Sequence, residues 1–371
     1  MKVNLYPIAI NDLVASPILQ QTSYWGHVKK MHGLDVLAFR IEADPQQEGY
    51  PVVTDDILII TRQVASDLSY AYVPYGPEKL PHEDMKGVYL EEISEALRPF
   101  LPSNCVYIRY DLPWPSPWIN EDYLYDEEGQ WAGPPEPRVR ELRMNFGTRE
   151  WRLRKAPSDV LPSSTFFIDI GGRERRSKEG LLKRMKPKTR YNINLAKRKG
   201  VRVREAGREK LRHWYRLHLE TAQRNKIIFS KINYFESLLE AKALSPQTKV
   251  HLLMAEVEEK PLAGMFLVMN GGRATYLYGA SSGNGRNYMS SYALQWEAIC
   301  KAMEEGCHQY DMFGVSPGPN PAHPMYGLYR FKSGFGGRFY HRKGCWDYVL
   351  NEALYGSYIA AELSSGGYHI A

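Results

Sequence analysis

"VHLLMAEVEEKPLAGMFLVMNGGRATYLYGA", residues 250–280, holds three apolar runs, 250–257, 262–269 and 274–280. Glu258-Glu259-Lys260-Pro261 and Asn270-Gly271-Gly272 separate them, and such residues favour tight turns, so the spacing predicts an antiparallel meander. The period then changes. Met289, Ala293, Trp296, Cys300 and Met303 recur at helical spacing, and Gly306 is a natural stop. A short strand is expected in HQYDMFGV, residues 308–315.

The first half reads in the same order. A helix around SYWGHVKK precedes strands at 34–41, 57–62 and 70–73, then a helical stretch at 83–100 and a strand in CVYIRYDL. Helix, meander, helix, strand therefore occurs twice, a repeat of architecture rather than of letters. Each half resembles the acetyltransferase-type (GNAT) unit. The expected fold class is α/β (α+β), tandem GNAT-like domains with mixed, largely antiparallel sheets. Between the halves, PWPSPW and GPPEPR speak against a central strand, because proline lacks the amide that a ladder needs. The boundary is placed near residue 164, giving domains at 1–164 and 165–343.

With 371 residues and 43% hydrophobic residues, the chain is long enough for two cores. The first residues lack a secretory pattern, and no run approaches the roughly 18 apolar residues of a membrane span. Cys105, Cys300, Cys307 and Cys345 form no CxxC pair, so a reducing cytoplasm is the expected setting and no metal is expected.

Charge is concentrated. RMKPKTRYNINLAKRKG, residues 184–200, holds seven Lys or Arg and no acid; over 173–204 there are fourteen bases and two acids in a chain of net charge +6, which leaves the remainder negative. Pro187 and Gly200 bracket an expected helix whose Thr189, Ile193 and Ala196 form a stripe, with Arg190, Asn194 and Lys197 on the neighbouring face. Either this is a solvated basic face or it meets a polyanion at one place.

No phosphate-binding P-loop, GxGxxG, HExxH or GxSxG motif occurs, so an enzyme here must receive an activated substrate. SSGNGRNY, residues 281–288, reads as a turn better than as a pyrophosphate loop. In YGLYRFKSGFGGRFYHRKGCWDYVLN, expected as loop and strand, Lys332 beside Phe331 is suited to stabilising an oxyanion or holding a phosphate, or else to reaching solvent. Asp111 is expected at a strand end before a turn, and Asp311 in QYDMFG poses the same choice between cap and catalytic acid. His27, His213 and His218 are read as structural or solvated.

These pieces together resemble the FemABX family of aminoacyl-tRNA-dependent peptidyltransferases. The carrying segments are QQTSYWGHVK, LPSSTFFIDI with LLKRMKPKTRYNINLAKRKGV, ETAQRN, TYLYGASSG, ALQWEAICKAMEEGCHQYDMFG and YRFKSGFGGRFYHRKGCWD, in the family's order. The resemblance implies two GNAT-like domains with the tail 344–371 returning to the first. It implies transfer of an amino acid from aminoacyl-tRNA to an amino group in the stem peptide of a peptidoglycan precursor, UDP-MurNAc-pentapeptide or lipid II. Lys186, Lys188, Arg190, Lys197 and Arg198 would then contact the tRNA backbone.

By the same resemblance Lys29 and Arg224 match positions that hold a muropeptide diphosphate, Phe331 and Lys332 match the catalytic pair, Asp111 matches an acid near the acceptor amine, and Tyr278 lines the acceptor site. No cofactor and no DNA partner are implied, and peripheral membrane contact would come only through a lipid-linked substrate. The uninterrupted meander departs from members with a coiled-coil arm. Segments 43–56 and 113–137 look like insertions without an assigned role. Two other classes stay open: an acyl-CoA-dependent GNAT enzyme and a non-catalytic RNA-binding protein.

Overall fold

The computed structural model describes residues 1–47, 49–65, 68–127, 131–172, 177–225 and 230–364. Parts of four expected features fall outside them: 173–176 of the basic segment, 128–130 and Glu48 of the two insertions, and 365–371 of the tail. The described residues form two compact units, Met1–Ser163 together with 341–364, and Ser164–Tyr340.

The first unit runs β1 (Lys2–Pro7), α1 (Ser23–Met31), β2 (Asp35–Asp44), β3 (Val53–Ala65), β4 (Leu68–Val73), α2 (Lys86–Leu97), β5 (Cys105–Pro115), α3 (Pro137–Met144) and β6 (Leu153–Lys155). Strands β1 to β4 pair antiparallel in sequence order, and β5 joins β4 in parallel. Alternate residues of β2 face inward, so Phe39, Ile41, Ile57 and Ile59 meet Leu90, Ile93 and Leu97 of α2 in one core. Each such side chain, fully buried, contributes about 1.5–3 kcal/mol relative to exposure.

The second unit runs β7 (Ser164–Asp169), α4 (Lys178–Arg184), α5 (Pro187–Arg198), β8 (Arg202–Ala206), α6 (Leu211–Asn225), α7 (Ile232–Glu240), β9 (Lys249–Val257), β10 (Lys260–Asn270), β11 (Arg273–Ser281), α8 (Ser290–Glu304), β12 (Gln309–Asp311) and α9 (Tyr326–Ser333). Its sheet order is β7-β12-β11-β10-β9-β8, parallel only between β11 and β12. Met265, Leu267 and Met269 of β10 pack with Leu294, Ala298 and Ile299 of α8, and with Ile193 and Ala196 of α5. The stripe read from α5 is thus the side that enters the core. Both units are mixed, largely antiparallel α/β layers with one parallel pair, as the repeat predicted.

The chain then returns through β13 (Arg338–Val349) and α10 (Glu352–Ser364). From Arg342 on, β13 pairs antiparallel with β5, and its residues 346–348 also pair with β6. Arg109 of β5 is fully buried and anchors the return. Its Nε and Nη2 each donate to Asp347 at 2.7 Å, while Nη1 and Nη2 donate to Glu362 of α10 at 3.1 and 3.0 Å.

Two local expectations are corrected. Strand β5 continues through Pro113 to Pro115, and Asp111 lies inside it rather than before a turn. Proline is tolerated because pairing with β4 ends at Tyr110, and the register with β13 slips between Arg342 and Gly344, opposite Pro113. Lys332 sits on a helix, not a loop: α9 makes two turns before Gly334 ends it.

Candidate active site

Helix α9 buries Lys332 almost completely, at 3% exposure. Its Nζ donates to the carbonyl oxygens of Phe313 and Gly314 at 3.2 and 2.9 Å, and stands 5.0 Å from the centroid of the Tyr276 ring. Burial lowers its pKa from 10.5 to about 7, and Asp311 opposes the shift. Phe331 packs edge-on against Tyr292 and Phe335, at centroid distances of 4.9 and 5.3 Å, and keeps that side of α9 dry. The result is a lysine held in apolar and carbonyl surroundings, charged only part of the time at neutral pH.

The basic segment lies against this helix. The Lys186 amide donates to the Gly334 carbonyl at 2.8 Å, and the Lys186 Nζ reaches the Ser333 hydroxyl at 3.2 Å. The approach is close enough to require glycine. Gly336 has φ +78°, and a Cβ there would stand 2.5 Å from the Arg184 carbonyl oxygen.

Lys186, Lys188, Lys197 and Arg198 are exposed. Arg190 is not spread over the same surface: its guanidinium donates to the Met185 carbonyl and lies within 3.4–3.5 Å of those of Leu182 and Lys183 at the end of α4.

Arg224, in the last turn of α6, donates to the carbonyl and hydroxyl oxygens of Ser281, each at 3.1 Å, and its pKa is lowered by burial and by Arg286. Arg286 adds a second cation at the turn 281–286, and the Glu220 carboxylate there accepts the Ser282 hydroxyl and the Gly283 amide at 3.0 and 3.1 Å. Tyr278 of β11 is half-buried, with its hydroxyl 3.0 Å from that of Tyr234. A bulge opposite Phe266 and Leu267 skips Leu277, an irregularity that no residue pattern announced.

In the first unit, α1 places Lys29 Nζ 4.4 Å above the Trp25 ring, and burial with the neighbouring Arg62 lowers its pKa to about 7. Arg62 in turn lies over the Tyr72 ring at 5.7 Å, and the Tyr72 hydroxyl donates to Asp111 at 3.0 Å. Two cations set side by side suit a polyanionic group such as a diphosphate. Asp111 is wholly buried and also accepts the Leu161 amide at 2.9 Å; burial and Asp159 raise its pKa to about 7.

Lys29 and Asp111 thus belong to one unit, and Phe331, Lys332, Tyr278, Arg224 and the basic segment to the other. Arg62 and Tyr276 were not singled out by the sequence reading; the aromatic pair in TYLYGAS was the one available signal for Tyr276. His218 stacks on Trp214, and His27 bonds Asn11, in keeping with structural roles.

Among the described residues no helix is long and apolar enough to cross a membrane, and no group of three or more His, Cys, Asp or Glu could hold a metal ion.

A model of the FemAB family matches residues 15–260 and 247–362. The chain belongs to the FemAB family. FemAB relatives include a lipid II:glycine glycyltransferase of Staphylococcus saprophyticus, 25% identical over 236 residues, with 47% of this chain and 56% of the relative covered. The protein of the same name from Staphylococcus epidermidis is 31% identical over 137 residues, covering 37% of this chain and 33% of that one. The match therefore spans about half or less of these curated relatives. The crystal structure of FemX superposes with a TM-score of 0.70 at 17% identity, covering 96% of this chain and all of that one. That likeness shows a shared fold for this FemAB member.

Proposed function

We propose that the protein is an aminoacyltransferase that moves an amino acid from aminoacyl-tRNA to an amino group in the stem peptide of a peptidoglycan precursor. The observation that carries this reading is the docking of the basic segment, through Lys186, on the helix that buries Lys332. A polyanion bound along 186–198 would have its labile acyl end within reach of a lysine able to change charge near neutrality. Lipid II, the acceptor in the relatives' name, is the first acceptor to test, with UDP-MurNAc-pentapeptide as the soluble counterpart.

In the proposed reaction the acceptor amine attacks the ester carbonyl carbon. Negative charge gathers on the carbonyl oxygen, where the Lys332 ammonium stabilises it, and Phe331 excludes water. The carbon–oxygen bond to the tRNA ribose then breaks, and the proton lost by the amine goes to the departing hydroxyl. Lys29 with Arg62, and Arg224 beside Arg286, are assigned to precursor phosphates. Tyr278 is assigned to the acceptor side. Asp111 has no exposed surface, so its part is to hold Tyr72 and the Leu161 amide within the unit that carries Lys29. Membrane contact enters this reading only through a lipid-linked acceptor.

Incubation of the protein with a charged tRNA pool and each precursor, followed by mass measurement, tests it. A precursor heavier by one amino-acid residue, dependent on intact aminoacyl-tRNA, is the expected result. An acetyl or acyl adduct formed from acyl-CoA alone would sink the proposal.

A further inference from the structure

Phe313 follows β12 with φ +58°, in the left-handed region that a non-glycine residue keeps only where its surroundings fix it. The fixing group is visible. Oδ1 of Asp311 accepts the Phe313 amide at 2.8 Å and the Thr165 hydroxyl at 2.6 Å, and the same hydroxyl stands 3.1 Å from the Phe313 carbonyl oxygen. Asp311 is 4% exposed. Its backbone is held from both sides, paired to Phe167 of β7 and to Thr275 of β11.

The strained turn has a product: the carbonyls of Phe313 and Gly314, the two acceptors on Lys332 Nζ. With Phe313 in an ordinary conformation, those oxygens would point elsewhere. We infer that Asp311 is a positioning residue for the acyl transfer, acting through Lys332: its carboxylate clamps Phe313 in the left-handed turn that aims two carbonyls at the ammonium, and supplies a countercharge to it. The inference rests on the reaction proposed above, which assigns oxyanion stabilisation to Lys332.

The two parts of the role separate by substitution. Asp311→Asn keeps an oxygen for the Phe313 amide and the Thr165 hydroxyl but removes the charge. Asp311→Ala removes both. Among the described residues, the Tyr276 ring stands beside the ammonium, and Asp311 acts on it through its charge.

The test is the titration of the Lys332 ammonium by NMR of lysine-labelled full-length protein, assigned with Lys332→Arg, alongside turnover measured from acid to alkaline pH. In Asp311→Asn the Lys332 pKa is expected to fall by about one pH unit. Turnover relative to wild type should then drop about tenfold near pH 8 and recover toward acid pH, with KM for the acceptor unchanged. Asp311→Ala should lower kcat at every pH.

If Asp311→Asn titrates like wild type, or loses turnover equally at all pH values with an unchanged melting temperature, the inference is overturned. An absence of aminoacyl transfer in wild-type protein would instead strike the reaction itself, and the NMR titration would still report on Asp311.

Discussion

The Nζ of Lys186 lies 3.2 Å from the hydroxyl of Ser333, the residue that follows Lys332 on α9. A residue that opens the basic helix thus touches the helix of the buried lysine. Substituting Lys186, Lys188, Lys197 and Arg198 together by Gln is expected to weaken tRNA binding uniformly over sequences. It should also reduce the slope of log affinity against log salt by about 3. Filter binding over a salt series checks this. Arg190→Gln should behave differently, lowering the melting temperature by uncapping α4 while leaving the salt slope nearly intact.

Lys332→Met removes the ammonium while filling most of its space. Turnover should fall by roughly two to three orders of magnitude, as for loss of one oxyanion donor, with acceptor binding retained. Single-turnover transfer with isolated aminoacyl-tRNA measures it.

The same lysine gives stability a pH dependence of known sign. Its folded pKa is about 7 against 10.5 for an ordinary lysine. Between those values the unfolded chain binds the proton that the folded chain has released, so this group makes stability rise with pH, and below about 7 the charged form stays buried at a cost. Lys29 and Lys343, lowered to about 7 and 8, act in the same direction. The melting-temperature advantage of Lys332→Met over wild type should therefore shrink from about pH 7 to pH 10. A constant difference across that range would falsify the assignment.

Gly336→Ala combines a left-handed backbone with a clash against the Arg184 carbonyl. A loss of about 1–3 kcal/mol in urea unfolding is expected, accompanied by reduced transfer, because α4 and the end of α9 must separate.

Arg109→Met leaves Asp347 and Glu362 as buried acids without their cation. Destabilisation of about 3–5 kcal/mol is expected, and Asp347→Asn with Glu362→Gln in the same chain should restore part of it. Denaturant titration of the three proteins gives the comparison.

The meander at 250–280 was legible because turn residues punctuate apolar runs of strand length, and the α8 period because five large side chains repeat every three or four residues. Helix α9 was not. Its glycines, Gly327 inside and Gly334, Gly336 and Gly337 just beyond, read as loop, whereas Gly334 and Gly336 serve a close approach to the basic segment, and Gly337 one to β7, that only tertiary structure creates. Pro113 and Pro115 misled in the same way, since whether a proline breaks a strand depends on which neighbour has already stopped pairing.

At the site, Phe331 and Lys332 stood out through aromatic and basic residues side by side. The charge run at 184–200 was plain, but the sequence gives every cation in it equal weight. The structure turns Arg190 inward onto carbonyls and leaves Lys186 against Ser333. Arg62, Tyr276 and the clamp of Asp311 on Phe313 depend on contacts between distant strands, and no local pattern encodes them.

The anchoring of α10 on Arg109 has a bearing on biosynthesis. A nascent chain cannot finish its first unit until Asp347 and Glu362 have left the ribosome, so the stretch 164–340, made later than the first unit's opening strands, is free to consolidate before that unit closes. Until then β5 would present an unpaired edge, which makes the interval before the anchor arrives the period when the growing polypeptide has most need of chaperone cover.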